Sequence, residues 1–206
     1  PEPTPMVPSA DEIHYSYGNT SDSVIFNWRG DEQNIYYGLT TEYGQQATAS
    51  DSEVTPVDIA GPFREVVLTG LQPGATYHYK IGQDGTNATF TTTPTGDFSW
   101  VDIGDTKSSY CAAWMPGMQQ LIADQQPNFV THGGDISIAN ECGVPAVHSY
   151  YTDQEIWSRS AAFQPVWGNH EYGPPTADAP AGTPRDTLAN YKGRSYITNP
   201  QTVPND

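Results

Sequence analysis

The grammar of this chain changes at Thr93-Pro94-Thr95-Gly96, and that change limits the fold more than any other feature. Between Asp11 and Thr93, apolar and polar residues alternate in short runs. Ile13, Tyr15 and Tyr17 form one, and Val24, Phe26 and Trp28 another. Further runs cover residues 34–38, 53–59, 65–69, 76–81 and 88–92, with Gly, Pro, Asn and Asp between them. A period of two marks a strand with one buried face, and about seven such strands at this spacing predict an all-β sandwich. After Gly96 the order becomes strand, helix, strand, helix, strand. That order predicts right-handed βαβ units and a parallel sheet. The expected units are a proline-rich segment at 1–10, a sandwich at 11–95 and the first part of an α/β domain at 96–206.

Leu71-Gln72-Pro73-Gly74-Ala75-Thr76-Tyr77 resembles the fibronectin type III signature around a tyrosine corner. In that device the ring is buried and its hydroxyl ties back to upstream backbone. In the second unit, residues 98–103, 129–131 and 164–167 read as strands. Pro116 suits the first turn of a helix, where its missing N–H costs nothing. Met118, Leu121 and Ile122 then mark that helix's inner face, and residues 150–163 form a second candidate with Ile156 and Trp157 inward. Residues 173–206 are rich in Pro, Gly and Thr and carry no strong period.

Lys and Arg total 8 against 24 Asp and Glu, a formal charge of −16 over 206 residues. Such a chain lacks the cations that a nucleic-acid backbone demands. An anionic substrate needs bound metal to reverse the local sign. No run is long and apolar enough for a bilayer span of about 20 residues. The chain starts with Pro1, as a trimmed export signal or a boundary within a longer protein would both explain. Cys111 and Cys142 are an even pair, which in an exported chain points to a disulfide; two buried thiols are the alternative. A secreted, periplasmic or extracellular location follows as an expectation.

Three acidic or amide groups stand just past the three α/β strands. They are Asp105 in Gly104-Asp105-Thr106-Lys107, Asp135 in Gly133-Gly134-Asp135 and Asn169 in Gly168-Asn169-His170-Glu171. One Gly-Asp after a strand is more often a turn or cap than a ligand. Three consecutive strand exits are a different matter, because ligand groups gather outside the carboxyl ends of parallel strands. Oxygen donors so placed suit hard or borderline divalent cations. Asp102, within its strand, is the weaker candidate. His14 and His78 read as surface strand residues, His132 as sheet packing or support, and His148 as a loop residue.

These motifs resemble the purple acid phosphatase branch of the calcineurin-like metallophosphoesterases, whose motifs run Gly-Asp-x-Gly, Gly-Asp-x-x-Tyr and Gly-Asn-His-Asp/Glu. A fibronectin-like sandwich in front also fits plant- and bacterial-type members. The resemblance implies a metallophosphoesterase α/β domain with two metal ions, Fe, Zn or Mn. Asp105 would ligate one, Asp135 would bridge both and Asn169 would ligate the second. His170 would face the substrate phosphate as the catalytic group, and Glu171 would orient the loop. It implies hydrolysis of phosphate monoesters by a metal-bound hydroxide. Three departures stand out. Ile138 occupies the place of the family's tyrosine, which puts a ferric preference in doubt, and Lys107 replaces a glycine. The later histidine motifs, Val-x-x-His and Gly-His-x-His, are absent. The expectation is therefore the N-terminal part of a larger enzyme, inactive by itself and partnered by the remaining C-terminal segment of its catalytic domain. Two alternatives stay open: an inactive secreted binding or adhesion module, and a phosphodiesterase or nucleotide pyrophosphatase of the same superfamily.

Overall fold

The structure, a computed structural model, describes residues 9–106, 115–137, 145–172 and 188–195. Eight antiparallel strands build the first half: β1 (Asp11–Tyr17), β2 (Val24–Arg29), β3 (Asn34–Gly38), β4 (Gln45–Thr48), β5 (Ser50–Asp51), β6 (Phe63–Leu68), β7 (Thr76–Ile81) and β8 (Ala88–Thr91). They form two four-stranded sheets, ordered β1-β2-β6-β5 and β4-β3-β7-β8. The alternating apolar residues supply the core between them. Tyr15 stacks on Phe26 at 5.3 Å, Phe26 meets Phe90 edge-on at 5.2 Å, and Tyr77 stacks on Phe90 at 5.2 Å. The tyrosine corner forms as expected: the buried Tyr77 hydroxyl accepts the Gln72 N–H at 2.9 Å.

The second half holds β9 (Trp100–Ile103), β10 (Phe129–His132) and β11 (Ala162–Pro165) in one parallel sheet, ordered β11-β10-β9. Phe129 pairs with both Trp100 and Ala162, and His132 with both Ile103 and Pro165, so the three carboxyl ends finish level. Helices α1 (Met115–Asp124), α2 (Pro145–Asp153) and α3 (Glu155–Ser158) accompany the sheet, with short turns α4 (Asn169–Tyr172) and α5 (Ala189–Lys192). Val101, Ile103, Val130 and Phe163 share one sheet face and pack with Ile122, Val147, Tyr150, Tyr151 and Trp157. On the opposite face, Trp100 is 56% exposed beside Phe129 (ring centroids 6.4 Å apart), and Phe98 is 52% exposed. The outer edge of β9 has no partner strand among the described residues.

The two halves meet along a buried seam. Every residue of β2 is buried, including those facing away from the sandwich core. Ser158 Oγ donates to the Ile13 carbonyl at 2.9 Å, and the hydroxyls of Tyr15 and Tyr79 donate to the carbonyls of Ser160 and Arg159 at 3.2 and 2.9 Å. Arg194 is 1% exposed at this seam. It binds the carboxylates of Glu12 and Asp58, with its guanidinium 4.7 Å from the Phe63 ring centroid.

Several expectations need correction. Residues 53–59 form no strand: Pro56 has no N–H for a ladder, and the N–H groups of Val57 and Asp58 donate instead to Asn190 Oδ1 at 2.7 and 3.2 Å. The polar strands β4 and β5 were hidden because their residues lack an apolar alternation. The third parallel strand lies at Ala162–Pro165, two residues earlier than expected, and takes Phe163 out of the predicted helix. That helix starts at Pro145, which places His148 on α2 rather than in a loop. Leu121 (67% exposed) and Ile156 (51%) point outward; Gln119, Ile122 and Trp157 are the buried positions. His14 is buried, with its ring nitrogens against the carbonyls of Glu12 and Arg194. Lys107, Cys111, Ile138 and Cys142 lie outside the described residues.

Candidate metal centre

The level carboxyl ends of β9, β10 and β11 put Asp105, Asp135 and Asn169 on one edge of the sheet. Two backbone bonds lock the first pair of tips: Gly133 N–H donates to the Ile103 carbonyl at 2.8 Å, and Asp105 N–H to the Gly134 carbonyl at 3.1 Å. Asp105 and Asp135 both adopt left-handed backbone, with φ of 51° and 56°. That region is uncommon for residues with a Cβ and gathers where function outweighs strain. Gly134 (φ 96°) and Gly168 allow the second and third tips to touch. A Cβ on Gly134 would lie 2.6 Å from Gly168 N, and one on Gly168 would lie 2.2 Å from Asp135 Oδ1.

Glu171 binds the second and third tips together. Its carboxylate is wholly buried and accepts four backbone N–H groups: Gly168 (2.7 Å), Asp135 (2.8 Å), Ile136 (2.8 Å) and Ser137 (3.3 Å). Burial pushes its carboxyl up to about 7, against the pull of those N–H groups toward the charged form. The expected loop-orienting role thus has a concrete form, one carboxylate shared between two strand tips. His170 N–H donates to Asp135 Oδ1 at 3.1 Å, and His170 Nε2 stands 4.0 Å from Asp135 Oδ2. Asp105 and Asn169 are exposed at the edge, whereas Asp135 is 8% exposed. Asp102 faces along the sheet instead and accepts the Thr131 hydroxyl at 2.5 Å. His132 is buried behind the tips, where desolvation holds its imidazole down at about 4 although Asp135, Asp102 and Asp105 favour its protonation.

Two residues escaped sequence reading. Thr106 carries no motif signal beyond adjacency to Asp105, yet it is 2% exposed and bonded to His132. Tyr191, inside a tract without periodicity, meets Ser137 Oγ through its hydroxyl at 2.6 Å and so supports the β10 tip from below. Among the described residues, no three His, Cys, Asp or Glu side chains gather closely enough to hold a metal ion. The site is two carboxylates and an amide on one edge, with an imidazole beside them.

Parallel strands with oxygen-bearing tips, preceded by an antiparallel sandwich, define a two-part fold. Residues 10–100 match the family profile described as purple acid phosphatase, N-terminal domain. In fold the chain is similar to the purple acid phosphatase PPD1 from yellow lupin (Lupinus luteus) seeds: TM-score 0.68 at 16% identity, covering 92% of this chain and 41% of that one. It is also similar to PhoD, with TM-score 0.55 at 12% identity, covering 94% of this chain and 44% of that one. The chain therefore spans less than half the length of either solved structure. No curated protein matches it.

Proposed function

We propose that this chain is the N-terminal part of a metal-dependent phosphatase that hydrolyses phosphate monoesters. The observation that carries the reading is the Glu171 carboxylate, whose four amide bonds bring Asp135 and the Asn169-His170 turn into one cluster. Asp105, Asp135 and Asn169 are the residues that would hold cations. Their donor chemistry fits, because all three offer hard oxygens, and glycine at 168 leaves room for the Asp135 carboxylate against the third tip. When bound, a metal pair supplies Lewis-acid activation of water and neutralises charge on the phosphoryl group. The chain's own contribution is placement. Asp135 is held by the His170 N–H, and His170 stands at the rim, where it would bind a phosphate oxygen or give a proton to the leaving group. The missing ligands would come from the remaining C-terminal segment of the catalytic domain. The open edge of β9 and the exposed Phe98 and Trp100 support that packing, since parallel sheets are normally covered on both faces.

Metal analysis and p-nitrophenyl phosphate hydrolysis of the full-length gene product test the reading. Asp135→Ala should lose both bound metal and activity. His170→Ala should keep the metal and lose about 10²–10⁴-fold in turnover if it is the acid. A full-length protein with neither stoichiometric metal nor hydrolysis would overturn the proposal. It would favour the binding-module reading. Preference for bis-p-nitrophenyl phosphate would move the assignment to a phosphodiesterase.

A further inference from the structure

The strand tips carry a second set of bonds in which Glu171 takes no part. Gly134 N–H donates to His132 Nδ1 at 3.1 Å, so Nδ1 holds a lone pair and the ring proton sits on Nε2. Nε2–H then donates to Thr106 Oγ1 at 2.8 Å, and the Thr106 hydroxyl donates to the Ile136 carbonyl at 2.7 Å. The direction of every bond is fixed by the first. The relay leaves the residue before Asp135, passes through the residue after Asp105, and returns to the residue after Asp135. His132 and Thr106 are 1% and 2% exposed. The imidazole also meets Tyr150 and Phe163 edge-on, at 6.0 and 6.3 Å. Packing alone would be served by an apolar ring, and a buried polar group is stable only when its hydrogen bonds are made.

We propose that His132 and Thr106 are positioning residues, which act as one relay to hold the backbones of Asp105 and Asp135 in their left-handed conformation. What the held tips are for rests on the phosphatase reading; the relay itself does not. Without it, both aspartates can relax toward ordinary backbone angles, and their carboxylates leave the shared edge.

The test uses the full-length protein with Thr106→Val and Thr106→Ser. Two-bond 1H–15N correlation should find the His132 proton on Nε2. In Thr106→Val, Gly134 amide exchange should rise about 10-fold or more while β2 amides stay protected. Mn(II) affinity should fall about 10–100-fold, as is typical when a residue supporting a metal ligand is lost. Thr106→Ser should restore both. A wild-type proton on Nδ1 would overturn the relay, even if the valine variant failed to fold. So would a folded Thr106→Val with Gly134 exchange and Mn(II) affinity within about twofold of wild type. If wild type binds no Mn(II), the metal reading falls, and the tautomer and Gly134 exchange still decide the relay.

Discussion

Glu171 shows how one side chain can organise a site without entering its chemistry. Four amide donors converge on it, so deleting the carboxylate would strand several buried N–H groups at once. Each unsatisfied buried donor costs about 1–3 kcal/mol. Glu171→Ala should therefore lower unfolding free energy by about 3 kcal/mol or more, and Glu171→Gln by less, because the amide keeps one accepting oxygen. Urea denaturation of both variants checks the order; an alanine variant as stable as wild type would remove Glu171 from its organising role. At this scale much of the candidate site was legible. Asp105, Asp135 and Asn169 stood out because each follows glycine at a strand exit, and His170 because it stands directly after Asn169. Thr106 and Tyr191 did not, because their bonds join positions far apart in sequence, which no local pattern encodes.

Among the elements, the strands were read better than the helices. A period of two survives at any length, so β1, β2, β3 and β7 were visible as alternations of Tyr, Phe, Ile and Trp. The helices are short, and one misplaced apolar residue misleads a period of 3.6. Leu121 is such a residue: it was assigned to the inner face of α1, yet the inward polar side chain is Gln119, whose amide oxygen accepts the Trp157 indole N–H. Two substitutions separate the faces. Ile122→Ala should cost about 2–4 kcal/mol by leaving a cavity in the core, whereas Leu121→Ala should stay within about 0.5 kcal/mol. Chemical denaturation of the pair decides it, and equal losses would contradict the orientation of α1. The 53–59 segment failed for a related reason. Its apolar residues mimic a strand, but the partner that fixes it, Asn190, lies in a distant turn.

For the molecule as a whole, the charge network at the seam contributes to the acid response. Burial by itself would raise the Glu12 pKa, but the Arg194 charge and the bonds from His148 and Arg194 outweigh it, and the net shift is downward. A carboxylate with a depressed folded pKa adds stability at pH values above its ordinary 4.5, and that stability is lost as pH falls through the folded value. Thermal midpoints should therefore drop more steeply below pH 4.5 in wild type than in Glu12→Gln. The glutamine variant should already be less stable at neutral pH, because it leaves Arg194 short of a counter-charge. Parallel slopes for the two proteins would show that the network does not set acid sensitivity.

The seam also has a practical meaning for anyone dissecting this protein. Ile25 and Asn27 line a cleft shared with Phe163, Gln164 and Pro165 of the second half, and the hydroxyls of Tyr15 and Tyr79 find their acceptors there. Cutting after the sandwich would uncover a strip of greasy and orphaned polar atoms that the intact chain never shows to water. A fragment ending near residue 95 should stick to itself, and size-exclusion chromatography of that fragment beside the 206-residue chain would reveal it.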